Sequence, residues 1–301
     1  MMFKRILYNK NGELRRIFVL LSFILLFQVI GVILIKLFVP IFKSNEFLLS
    51  LGVNVISCIA VLAALYLHSK HLDFRSLAEY GLKPGEWSTW SEFINGATIS
   101  LLGVGVVVLI QYNTSVIHLS PDSIYKAYDL WIVYLMKSFR YLSGAVFEEI
   151  LATSFLFVFL KNSIGTNTQW YAHRNWLAIV VSALVFGFIH GTNQNVTVLG
   201  VINLILFGAL TTFNFAITKN LGFAVGFHSM WNFTQNVVFG LPNSGSPSES
   251  WIFKTTLHAK PIISGGKFGI EGSLITSILL GLIFLYQVIN LKTLRLKQIK
   301  F

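Results

Sequence analysis

Residues 141–160 read YLSGAVFEEILATSFLFVFL. At roughly 20 mostly apolar residues the stretch is long enough to carry a helix across ~30 Å of hydrocarbon, yet Glu148 and Glu149 stand near its middle. An ionisable side chain in that setting costs at least ~2.5 kcal/mol even on a lenient insertion scale, so the pair asks for a functional reason.

Blocks of the same kind recur on both sides. They run approximately over 17–39, 47–68, 92–112, 176–195, 197–218, 221–240 and 271–291, which with 141–160 makes eight predicted spans of an all-α polytopic membrane protein. Composition agrees: 54% of residues are hydrophobic, 12% are charged and the mean hydropathy is +0.70, whereas a soluble domain is about a quarter charged. Residues 129–140, DLWIVYLMKSFR, are apolar but too short to cross, and they predict an interfacial lead-in helix before the fourth span. The longest loops are 69–91 and 241–270, and the second is rich in Gly, Ser, Pro and Asn, which predicts irregular structure that covers the site or docks a partner.

Read as domains, 1–16 is an N-terminal segment, 17–291 a membrane domain and 292–301 a C-terminal tail, with no repeat and no separate soluble unit. The first block follows a basic segment, but it is too long for a cleaved signal and lacks a small-residue cleavage site, which predicts a retained span. A net charge of +11 would suggest nucleic acid in a soluble protein. Here the positive-inside rule accounts for it: with both termini cytoplasmic, 15 of the 23 basic residues fall in inside segments. Lys4, Arg5, Lys10, Arg15 and Arg16 precede the first span, Lys70, Arg75 and Lys83 follow the second, Lys161 and Arg174 the fourth, Lys219 the sixth, and Lys292, Arg295, Lys297 and Lys300 the last. The expected location is the cell membrane, most simply a bacterial one. The expected partners are the lipid bilayer and a membrane-associated protein or peptide, with no nucleic acid. Cys58, the one cysteine, excludes an intrachain disulfide and any cysteine metal site.

Few spans carry polar chemistry away from their ends. On a helix, side chains at adjacent positions diverge by about 100°, so Glu148 and Glu149 are not expected to reach the same point, and one would act while the other braces. His190 closes FGFIH (186–190), with Phe186 and His190 at i and i+4 on one helical face. His228 and Asn232 in HSMWN (228–232) have the same spacing, and the carboxamide is a candidate donor to an oxyanion. Each set also has a structural reading, as a protonated carboxyl pair, a packed histidine or an ordinary interhelical hydrogen bond. Together they supply what is needed to activate water and hold a tetrahedral intermediate. Glu148 and His190 lie at matching depths on antiparallel spans. His228 falls nearer the opposite face unless Gly222 and Gly226 break or tilt its helix.

In order and spacing these residues resemble the CPBP (CAAX protease and bacteriocin-processing, or Abi) family, which includes the Ras-converting type of prenyl-protein endopeptidase and bacterial members linked to bacteriocin immunity. Its pattern is EExxxR, FxxxH, then HxxxN or HxxxD. Glu148 and Glu149 match the first motif, Phe186 and His190 the second, and His228 and Asn232 the third. The likeness spans about 144–272 and takes in FGLPNSG (239–245) and GGKFGIEG (265–272). The resemblance implies a hydrolase that cleaves peptide bonds within the membrane. Glu148 would be the general base for water, His190 would hold that water, and Asn232 with His228 would stabilise the oxyanion. No metal is favoured, since HExxH is absent, and a zinc ion, if present, would take His190, His228 and Glu148. The family's arginine position holds Thr153, which carries no charge and keeps a second reading open: a catalytically impaired scaffold, immunity factor or partner-binding subunit. A third class, a transporter, would use the intramembrane carboxylates but lacks any visible duplication of the spans. Two routes of access to the site stay open. Eight spans put Glu148 toward the outer leaflet, while the resemblance implies cytoplasmic entry.

Overall fold

The computed structural model describes residues 16–43, 45–121, 130–248, 252–258 and 260–298. Lys4, Arg5, Lys10, Arg15, Lys126 and Lys300 lie outside them. The helices are α1 Arg16–Phe42, α2 Glu46–His68, α3 Trp87–Asn113, α4 Leu130–Glu149, α5 Leu156–Ser163, α6 Arg174–Ile189, α7 Val198–Thr218, α8 Gly222–Phe233 and α9 Leu274–Gln298. A π-helical turn, Ile150–Phe155, joins α4 to α5, and another, Thr234–Val238, prolongs α8.

Among the described residues six helices, not eight, are long and apolar enough to cross a membrane: α1, α2, α3, the continuous α4–α5 unit, α6 and α7. The two discrepant blocks have different causes. The apolar part of α9, Leu274–Asn290, is a shorter helix. Helix α8 is buried along nearly its whole length, so the apolar character of 221–240 comes from packing inside protein rather than against lipid. Hydropathy cannot separate those two environments. The lead-in helix is also corrected, since from Leu130 onward it is the first part of α4. Lys137 within it is buried, with its ammonium 6.0 Å from the centre of the Phe47 ring on α2.

Gly222 and Gly226 do not break α8, which is helical from Gly222 onward. They let it seat on α3. A Cβ on Gly222 would strike the Thr89 carbonyl oxygen and one on Gly226 the Phe93 carbonyl oxygen, while one on Gly96 of α3 would strike the Phe223 carbonyl oxygen. Small residues facing one another let two backbones approach closely, which is how helices associate where no water drives them together.

Among the described residues the bundle is all-α apart from one two-stranded ladder. Strands β1 Ile117–Pro121 and β2 Phe253–Leu257 pair antiparallel, with Ile117 opposite Leu257. The 241–270 segment expected to be irregular therefore contains a strand, held against the end of α3. One apolar cluster gathers Phe207, Phe227 and Trp231 with Phe268 and Ile270 of that segment; a second gathers Phe23, Phe155, Phe157 and Phe215.

The α3–α8 seam makes a paired test within one helix. Gly96→Ala, which drives a methyl into backbone, is expected to cost about 1–3 kcal/mol. Gly105→Ala meets nothing within 4 Å and is expected to be neutral or stabilising by up to about 1 kcal/mol. Thermal unfolding in detergent, compared with wild type, reads both. Equal effects would contradict the close-packed seam.

Candidate active site

Glu149 is the last residue of α4 and Ile150 opens the π-helical turn. Such turns are rare and recur at functional sites. The two glutamates diverge, yet both reach one ring, from opposite edges. The Oε1 atom of Glu149 is 2.8 Å from His228 Nδ1, and the Oε2 atom of Glu148 is 3.8 Å from His228 Nε2. The depth mismatch of His228 disappears because α8 is packed inside the bundle and need not run from face to face.

His190 follows α6 and opens a 3₁₀ turn, His190–Thr192. Its Nδ1 lies 2.7 Å from the Phe186 carbonyl oxygen, and its Nε2 lies 3.5 Å from Glu148 Oε2. The Phe186 ring is 5.1 Å from the His190 ring and meets the His228 ring edge-on at 5.8 Å, walling both imidazoles. A carbonyl oxygen only accepts, so His190 carries its proton on Nδ1. An ionised Glu149 imposes the same tautomer on His228. Both Nε2 atoms are thereby left facing Glu148. Glu149 is wholly buried, whereas 31% of the Glu148 side chain is accessible, so Glu148 is the more open of the two carboxylates, although its Oε2, the atom facing both Nε2 atoms, is buried without a hydrogen bond among the described residues.

Asn232 lies one turn beyond His228 on α8. Its Oδ1 accepts a 2.8 Å hydrogen bond from Asn243 Nδ2, which leaves its amide N–H groups to donate. Thr153 is brought to neither carboxylate. It is fully buried in the π-helical turn, with its hydroxyl 3.3 Å from that of Thr211 and 3.4 Å from that of Thr212 on α7. The Oε2 atom of Glu149 is buried without a hydrogen bond among the described residues.

Sequence reasoning missed the group that ties the loop after α8 to Asn232. Glu271 is buried, and its Oε1 accepts from Asn243 Nδ2 at 3.3 Å, Ser244 N at 3.1 Å and Ser244 Oγ at 3.3 Å. Gln235 Nε2 donates to its other oxygen. Asn203 of α7 donates to the Glu271 and Ser273 carbonyl oxygens, and Asn193 donates to that of Ser244. Asn243 therefore links Glu271 to Asn232. Burial pushes the Glu271 carboxyl up to about 7, against the lowering effect of the Gln235 and Ser244 donors. Reading Glu271 as the first residue of a span hid it as a helix-end charge. The available signal was that GGKFGIEG places an acid between an apolar loop and an apolar helix. For a metal, no group of three or more His, Cys, Asp or Glu side chains among the described residues is placed to hold an ion.

Residues 129–234 match the family model described as type II CAAX prenyl endopeptidase Rce1-like. The matched stretch runs from the start of α4 to the end of α8 and contains Glu148, Glu149, His190, His228 and Asn232. The match covers about a third of the chain and marks what that stretch is similar to, in line with the resemblance drawn from its motifs. No curated protein and no solved structure matches the chain.

Two outcomes follow from the burial pattern. His228→Ala strands a fully buried carboxylate, which is expected to cost about 3–5 kcal/mol, and adding Glu149→Leu should recover much of it. Unfolding in bicelles checks this, and a His228→Ala protein as stable as wild type would contradict it. For Glu271, the folded-state value of about 7 lies above the ordinary 4.5. The folded state therefore holds the extra proton in that window, and the stabilisation is complete below about 4.5 and lost as pH rises through about 7. Melting temperature should fall between about pH 5 and 8 in wild type. The fall should be shallower in Glu271→Gln.

Proposed function

We propose that this chain is an intramembrane endopeptidase that hydrolyses a peptide bond of a membrane-associated protein or peptide with Glu148-activated water. The observation that carries this reading is the convergence of two imidazole Nε2 atoms on the accessible carboxylate, within the stretch that matches the Rce1-like model. A water seated against Glu148 gives up its proton to the carboxylate as it attacks the carbonyl carbon. His190 holds that water. Glu149 fixes the ring of His228 from its far edge and supports a second proton on Nε2; in that imidazolium form His228 donates to the oxyanion together with the Asn232 amide. Glu148 then delivers the proton to the leaving amine. His190, His228 and Glu148 are the side chains a zinc ion would call on, but as placed they do not form a set that fits an ion, and none of these residue roles requires one.

A second reading, a scaffold or partner-binding subunit of the same fold, is favoured by Thr153. No guanidinium stands at that position, and an oxygen of Glu149 is left without a hydrogen bond among the described residues. On this geometry wild-type cleavage is expected to be weak. Glu148→Gln should lower it by about 100-fold or more, the range that loss of a general base commonly costs. Glu149→Gln should lower both rate and stability. Thr153→Arg, which has to displace Thr211 and Thr212, should raise the rate in whatever fraction folds. The assay is cleavage of a membrane-inserted peptide panel in defined lipid, with thermal stability recorded for each variant. Cleavage undiminished in Glu148→Gln would overturn the proposed base, and a folded wild type inert on every peptide would favour the scaffold.

A further inference from the structure

A cavity lies at the other end of the bundle from the candidate site. Lys161 at the end of α5 is 13 residues, or roughly 20 Å of helix, beyond Glu148. The cavity has a volume of about 340 Å³ and is bounded by Arg75, Glu79 and Lys83 of the α2–α3 connection, Lys161 and Lys219, with Phe157 and Phe215 among the apolar residues that line it. That volume falls at the small end of ligand pockets, about 300–1,000 Å³.

The charges around it are unequal in their pairing. Arg75 is held by Asp73 and Glu79 at 2.8 Å each, so its fork is occupied. Lys83 stands 3.9 Å from Glu86. No ion pair reaches Lys161 or Lys219 among the described residues. Lys219 follows α7 in the left-handed region, at φ 54°, and its ammonium turns back onto the Ala216 carbonyl, 5.3 Å from the centre of the Phe157 ring. Burial, with the neighbouring Lys161 charge, depresses the Lys219 ammonium to about 8. Charges that only satisfied the positive-inside rule would extend into water. These come from three separate segments and turn, half-buried, onto one cavity.

We propose that this cavity is a phosphate-binding site, filled by the phosphodiester of an anionic phospholipid headgroup or by free phosphate. A tetrahedral oxyanion offers acceptor oxygens in several directions, which suits ammonium groups arriving from different elements. A planar carboxylate is best matched by an arginine fork, and the fork here is taken. The apolar floor of Phe157 and Phe215 suits the glycerol end of a lipid, and an anion between Lys161 and Lys219 relieves their repulsion. The site is independent of the catalytic reading.

The test uses the full chain in detergent, titrated with phosphatidylglycerol, phosphatidylcholine, inorganic phosphate or chloride at matched ionic strength, with binding followed by native mass spectrometry and by melting temperature. Phosphatidylglycerol is expected to bind saturably and raise the melting temperature. The same response to inorganic phosphate would identify the free ion as sufficient, and its absence would identify the lipid. In Lys161→Gln/Lys219→Gln the affinity should fall about tenfold or more. Without anion that variant should be at least as stable as wild type, since the repulsion is gone. Lys254→Gln/Lys260→Gln, an equal charge change at exposed positions away from the cavity, should bind as wild type does. Equal binding of phosphatidylcholine, no saturable response to either phosphate source, or equal losses in the two double variants would overturn the proposal.

Discussion

The hydrogen bond between Glu149 and His228 is the contact on which the rest of the arrangement rests. A carboxylate with no access to water inside an apolar bundle has to be answered by a fixed partner, or it gives up its charge. The partner here sits on α8, a helix only 12 residues long and surrounded by protein. For α8 to occupy the interior, its backbone must approach that of α3 closely, and Gly96, Gly222 and Gly226 supply the missing Cβ atoms. Once α8 is seated, His228 lies between the two adjacent glutamates, and Phe186 and Phe207 close on its ring. A single electrostatic requirement thus connects a glycine seam, a buried helix and the placement of an imidazole.

The loop after α8 extends the same logic to the amide. Asn232 alone could turn its carboxamide either way. The bond from Asn243 decides the orientation, and Asn243 is in turn held by Glu271, which also holds the backbone of Ser244. The described residues between Leu241 and Gly272 are therefore fixed by one buried carboxyl and by the β1–β2 ladder. The Gly-rich sequence suits this role, since Gly245, Gly265, Gly266 and Gly269 all take positive φ.

Membrane class and candidate residues were legible in the sequence because both are written in burial cost: long apolar blocks are legible by length, and Glu148, His190 and His228 stand out against them. The number of crossings was not legible, because α8 is as apolar as a lipid-facing helix and differs only in what surrounds it. That the imidazole of His228 stands between Glu148 and Glu149 was not legible either. Angular spacing along a helix describes where Cβ atoms point, and a long side chain on each side of a facing imidazole can close a gap of about 100°. Glu271 escaped notice because position at a predicted helix end is the ordinary place for a charge. Thr153 was legible as a departure, and the structure adds its surroundings, a cluster of three threonine hydroxyls with no charge among them.

The proposed chemistry depends on which nitrogen of each imidazole carries the proton. The Phe186 carbonyl and Glu149 occupy the Nδ1 edges of His190 and His228, so that both Nε2 atoms are turned toward Glu148. Nitrogen NMR of the protein with ¹⁵N-labelled histidine, with His190 and His228 assigned by single substitution, reads this directly. The predicted result is a protonated Nδ1 in both rings at neutral pH, with Nε2 the position that responds when Glu148 is replaced by Gln. A bare Nδ1 in either ring, or an Nε2 signal indifferent to Glu148→Gln, would contradict the arrangement on which the proposed function rests.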